Sequence, residues 1–195
     1  MKIKKLGLLG VSVLALAAVL PLSAAASGAQ HGRWDIISLG VEPLTFNPGG
    51  EASATAPDGE TITLTGSGTF VAPNGSNGAS SAVTGGGTWQ TDTASGTYVV
   101  KGLVSFGFAS FQLQAPDFIV IDNIGDTQER ANGTAVLRIQ FSDGQSGVLT
   151  VGCHGPGAPA GIFEGIATTK GFKTYYSVQP PVGGVDANRT LFHVR

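Results

Sequence analysis

Three histidines, one cysteine and 13 carboxylates are the side chains to weigh first for proton or group transfer. Imidazole alone has an ordinary pKa near neutrality, so His31, His154 and His193 head the search. His154 directly follows Cys153 where an apolar stretch runs into the Gly/Pro loop 155–161, and a cysteine beside a histidine is the pairing of thiol catalysis. Neighbouring residues of a strand point to opposite faces, however, so these two side chains meet only across a bulge. The competing reading of Cys153 is a small buried hydrophobe.

Paired carboxylates of the kind that cleave glycosides would have to come from Asp117, Asp122, Asp126, Glu129, Asp143 and Glu164. Asp143 is accounted for by a turn. Glu164 sits between Phe163 and Gly165 in an alternating stretch, and pointing into an apolar interior would raise its pKa and suit it to acid or base work. The alternative is a carboxylate that faces solvent or pairs with Lys170, Lys173 or Arg189. Glu164 and His154 are the candidate catalytic residues.

No pair of ligand-type residues has the spacing of a metal motif, so no metal and no cofactor are expected; His31 would chelate copper or nickel only adventitiously, through a new amino terminus. The glycines at 85–87 lack the strand–loop–helix context and the Gly-Lys-Ser/Thr of a phosphate loop. Asn74, Asn132 and Asn188 begin glycan acceptor tripeptides, which matter only on a eukaryotic secretory path. Aromatic residues are the remaining hint of a ligand: Phe106, Phe108 and Phe111 share one long stretch, and Tyr175-Tyr176 lie on another. Such residues mostly fill a small barrel, but an eight-stranded barrel also has room for one small apolar molecule. Phe106, Phe108 and Tyr176 are the candidate ligand-binding residues.

The elements that must position these residues are strands. Residues 1–26 carry a basic start (Lys2, Lys4, Lys5), an apolar run broken by Pro21 and an Ala24-Ala25-Ala26 cleavage site, the pattern of a secretory signal; a cut after Ala29 is the variant. Residues 27–195 then form one domain. The expected location is extracellular or periplasmic, with no membrane contact once the leader is removed. Losing the three leader lysines leaves 8 basic residues against 13 acidic ones, which excludes the clustered cations of a nucleic-acid partner. A single cysteine allows no intrachain disulfide, so packing alone must hold the fold.

After the leader no long window has helical period. Residues 27–59 read as a lead-in strand and a loop, and 61–71 as one half-buried strand with Ile62, Leu64 and Phe70 inward. Residues 73–87 read as a mobile surface loop, and 88–91 as a short strand. In 98–113 the apolar phase shifts from Val104, Phe106 and Phe108 to Phe111 and Leu113, which implies a bulge at Ala109-Ser110. The run Phe118-Ile119-Val120-Ile121 predicts a strand covered on both sides. Residues 134–141 and 148–151 flank Asp143-Gly144, the signature of a type I′ hairpin. Residues 163–176 and 189–194 supply the last strands. About eight short strands joined by tight turns predict an all-β fold, a small antiparallel β-barrel with a sandwich as the alternative.

The segment Gly161-Ile162-Phe163-Glu164-Gly165, followed by Gly171-Phe172 and a Tyr-containing strand, resembles the G-x-F-E-G stretch of the small barrels in the allene oxide cyclase and dirigent superfamily. The half from Gly147 to Val194 is also similar to small secreted bacterial proteins of unassigned function. The superfamily includes cyclases and proteins that steer radical coupling, but no position here matches a family catalytic residue, so the resemblance implies the barrel alone. The expected function is a secreted binding or structural module that holds a small hydrophobic molecule. The rivals are a cyclase or isomerase using Glu164, and a surface protein that self-associates through strand edges. Oligomeric state is left open.

Overall fold

The computed structural model describes residues 28–73, 78–114 and 119–195. The expected leader and the cut after Ala26 lie outside these residues, as do Asp117 and Phe118. The chain forms β1 (Gln30–Val41), β2 (Leu44–Pro48), β3 (Ala52–Thr55), β4 (Thr61–Leu64), β5 (Ser67–Ala72), β6 (Gly86–Gln90) and β7 (Ser95–Phe111). It continues with β8 (Ile121–Asp122), β9 (Arg130–Phe141), β10 (Ser146–Cys153), β11 (Gly165–Lys170), β12 (Lys173–Tyr175), β13 (Ser177–Val178) and β14 (Gly184–Val194). One 3-10 turn at Thr127–Glu129, capped by the Asp126 side chain, precedes β9.

The strands follow from period-two patterning. In β9 the side chains of Ala135, Leu137, Ile139 and Phe141 are buried while Arg138 faces outward, because alternate residues of a pleated strand take opposite faces. Six strands close into a ring in the order β9, β14, β1, β5, β6, β7 and back to β9, every pairing antiparallel. The all-β barrel is therefore present, with six strands in the ring rather than about eight and with the other strands outside it. β10, β11 and β12 extend the sheet from β9; β4, β3 and β13 extend it from β6; β2 lies on β1 with β8 parallel to it.

Aromatic residues from four ring strands fill the barrel. Trp34, Phe70, Phe106 and Phe192 are fully buried, and the Phe106 ring lies 4.7 Å from Phe70 and 5.3 Å from Phe192, tilted and edge-on. A second group joins Trp89, Tyr98 and Phe141, with the Lys170 ammonium 4.2 Å above the Trp89 ring.

Several local expectations change. The stretch 61–71 breaks into β4 and β5 at Gly66, whose φ of 152° lets the chain turn where the Tyr98 hydroxyl donates to the Thr65 carbonyl at 2.8 Å. The described part of 73–87 is no free loop: Val71 N–H donates to the Ala82 carbonyl and Thr84 N–H to the Thr69 carbonyl, so it pairs with β5 and runs into β6. The glycines there permit backbone contact, since a Cβ at Gly86 would lie 2.2 Å from the Tyr98 carbonyl oxygen. In β7 the expected bulge lies between Phe108 and Ser110, but two more occur, between Val100 and Gly102 and between Leu103 and Ser105. The first flips the alternation so that Leu103 is buried and Val104 faces out, and the second restores it so that Phe106 points inward.

Of the described part of the apolar run, 119–121, only Ile121 enters a strand, and Ile119 is 77% exposed, so these residues are not covered on both sides. Strand β3 occupies part of the expected loop 27–59, and β14 begins at Gly184 rather than Arg189. The hairpin between β9 and β10 is present, but only Gly144 has positive φ (89°). Gly144 N–H donates to the Phe141 carbonyl and Phe141 N–H to the Gln145 carbonyl, a three-residue type I turn with a glycine bulge instead of type I′. Asp143 has negative φ, the ordinary conformation of an L residue, and its carboxylate accepts from Gln145 N–H at 3.1 Å.

Because Phe106 is a core residue in contact with two other rings, Phe106→Ala should cost about 3–5 kcal/mol of unfolding free energy. Urea titration checks this; a loss below about 1 kcal/mol would mean the barrel is not packed through this ring.

Candidate ligand pocket on the barrel flank

Ring strands β1 and β14 pair with Ile37 opposite Arg189 and Asp35 opposite Leu191. Their inward residues Trp34, Ile36 and Phe192 belong to the filled interior, so Ile37, Leu191 and Arg189 necessarily point to the outer face. There β2, residues 112–114 after β7 and the loop after β10 flank them, and the described residues leave a gap. The gap is a cavity of about 520 Å³ whose walls are mostly aliphatic, with Ile37, Leu39, Leu44, Phe46, Leu113 and Leu191 among them. Its polar members are Gln112, Gln114, Arg130, Cys153, Glu164, Arg189 and Thr190.

Glu164 lies where the chain turns into β11, next to Gly165 at φ 103°. Its side chain is only 10% exposed. Oε1 accepts from Thr190 N–H at 2.8 Å and Oε2 from His154 N–H at 2.6 Å, and the Arg189 guanidinium stands 3.8 Å from Oε2. Burial lifts the Glu164 pKa above its ordinary value; the two N–H donors and Arg189 oppose this without cancelling it. The arrangement is an oriented carboxyl beside apolar surface, which can accept a hydrogen bond or hold a proton. Of the alternative partners weighed from sequence, Lys170 pairs with Asp143, Lys173 pairs with Asp58 and Glu60, and only Arg189 approaches Glu164.

Cys153 and His154 diverge, as adjacent strand positions require. Cys153 is buried, its thiol pKa pushed well up by burial and by the nearby Glu164, and Gln112 Nε2 lies 3.4 Å from the sulfur. Burial therefore disfavours the thiolate form. His154 is exposed, and its Nδ1 lies 2.7 Å from the Ile162 carbonyl oxygen, so its ring holds the loop while its backbone N–H reaches Glu164.

None of Phe106, Phe108 and Tyr176 lines the cavity. Phe106 fills the barrel, Phe108 packs beside the core and against Phe111, and Tyr176 is 61% exposed at the outer edge. The ligand expectation for these three followed from placing a cavity inside the ring, and the ring is occupied by its own aromatics.

A buried polar group below the pocket was not anticipated as a unit. Asp35 is buried and accepts from Arg33 at 2.7 and 2.8 Å. Asp122 Oδ1 accepts from Ile124 and Gly125 N–H; its Oδ2 lies 3.1 Å from His193 Nε2 and 3.9 Å from Arg130 Nε. Burial opposes ionisation of Asp122, but the His193 ring and the two N–H donors outweigh it and hold the carboxyl below its ordinary range. The sequence does carry a signal for this group: single polar residues inside apolar strands, such as Asp35 between Trp34 and Ile36, and His193 between Phe192 and Val194. Among the described residues no three or more His, Cys, Asp or Glu side chains gather as metal ligands.

The chain matches no protein-family model, no curated protein and no solved structure.

The folded chain holds the Glu164 proton more tightly than the unfolded chain does. Glu164 therefore contributes stability that is fully present below its ordinary pKa of 4.5 and is lost as the pH rises through the shifted value. Carbon-detected NMR titration should give Glu164 a midpoint above 4.5. A midpoint at or below that value would mean that the N–H donors and Arg189 outweigh burial.

Proposed function

We propose that this chain is an exported binding protein whose flank pocket takes up one small, largely apolar molecule. The observation that carries the reading is the aliphatic cavity of about 520 Å³ with a few oriented polar groups in its wall, since small-molecule sites are concave, mostly apolar and within this size range. The export half of the reading rests on the leader pattern in residues 1–26. A second reading, an isomerase or cyclase, is favoured by one specific feature: Glu164 is a buried carboxyl with a raised pKa at the cavity wall, as general acid–base catalysis requires.

The protein purified from its exporting host should show, under native conditions, a mass above that of the chain, and the excess should leave on denaturation. Leu44→Trp, which places a larger ring in a partly buried wall position, should reduce the ligand-bearing fraction several-fold. Chain mass alone, together with no change in melting temperature against a panel of apolar compounds, would defeat the binding reading. The enzyme reading further expects Glu164→Gln, in which one of the two N–H groups loses its acceptor, to abolish conversion of the bound compound in protein that still unfolds cooperatively and retains ligand.

A further inference from the structure

We infer that the outer face of β7, β9, β10 and β11 carries an anion site, separate from the flank cavity, in which Lys101 and Arg138 hold a phosphate group. These four adjacent strands contain no Asp or Glu, although the chain has 13 acidic residues. Of those acids only Asp117 lies outside the described residues, and it follows Gln114 beyond the far end of β7, which is about 30 Å of strand from Lys101. Arg33, Arg130, Lys170, Lys173 and Arg189 each pair with a carboxylate. Lys101 and Arg138 are both exposed and make no ion pair among the described residues.

The fold brings these two charges together. The bulge between Val100 and Gly102 makes Lys101 the extra residue of β7, beside the cross-strand pair of Gly102 and Arg138. The Arg138 guanidinium lies across that glycine: a Cβ at Gly102 would stand 2.6 Å from Nη2 and 3.1 Å from Nε. Like charges on neighbouring strands repel, and a bound anion offsets the repulsion. The two cations line a shallow trough of about 370 Å³ with Gln140, Ser146, Val148 and Thr169, all of them described residues. Thr169 Oγ1 accepts Val148 N–H at 2.9 Å and keeps its own hydrogen to donate. Two cations and a hydroxyl suit an oxyanion with close to two charges and three terminal oxygens, which a phosphate ester has and a carboxylate lacks.

The test is an NMR titration of the mature chain with inorganic phosphate, at an ionic strength held constant with chloride, following the amides of β7 and β9 and the Arg138 Nε–H. Phosphate should give saturable shifts confined to the trough. Lys101→Gln and Arg138→Gln should each weaken binding about fivefold, the upper scale of an exposed ion pair. Gly102→Ala keeps every charge but displaces the guanidinium, and should weaken binding as much as Arg138→Gln does. Lys101→Gln alters only an exposed side chain, so it tests the site whatever Gly102→Ala does to folding. Tighter binding of glucose 6-phosphate than of phosphate would assign the site to soluble phosphoesters; sedimentation with phosphatidate vesicles, lost in Arg138→Gln, would assign it to a lipid headgroup. Shifts that fail to saturate, shifts that chloride reproduces, as an adventitious ion only would give, or an affinity preserved in any folded one of the three variants would overturn the inference.

Discussion

Closing a sheet on itself with six strands leaves an interior wide enough for side chains and little else, and that constraint governs the rest of the molecule. Trp34, Phe70, Phe106 and Phe192 take the space, the three phenylalanine rings packed in tilted and edge-on pairs. Any cavity must then lie outside the ring, between the ring and the chain that crosses it. The flank of β1 and β14 is where this happens, because Ile37, Leu39 and Leu191 present apolar surface there and line the gap.

Covering such a flank with short crossing segments demands anchors stronger than apolar burial. The buried polar group supplies them. Asp122, in a strand of two residues, is tied to β14 through His193 and faces Arg130 at the start of β9; Asp35 of β1 holds Arg33, whose Nη1 donates to the Ile124 carbonyl. Removing one partner of a set like this leaves an uncompensated charge in the interior, so the anchors act together or not at all. The same device appears at the other wall, where Asn132 receives Gly155 N–H at 2.7 Å and donates to the Pro156 carbonyl, fixing the loop that borders Glu164.

Glu164 links the pocket to this scaffold. Its two oxygens gather N–H groups from the end of β10 and from β14, so the carboxylate is a structural tie between two strands as well as a member of the cavity wall. The backbone donors fix its orientation and limit how far burial raises its pKa. The two backbone donors thus hold this carboxyl in place within the fold itself.

By itself the sequence determined the all-β class, the antiparallel hairpin at Asp143-Gly144 and the inward set Ala135, Leu137, Ile139 and Phe141, because period-two patterning and turn chemistry act within a few residues. The same local physics places Cys153 and His154 on opposite faces and makes the break in phase near Ala109 legible. It could not place the two further bulges in β7, since Gly102 and Val104 read the same whether the strand is straight or slipped. Only the tertiary structure decided that the ring closes with six strands, that its aromatics fill it, and that Glu164 meets Arg189, Thr190 and His154 beside Leu191. Those encounters join positions far apart in the chain, through a register and a face set by packing, and no short window of residues contains that information.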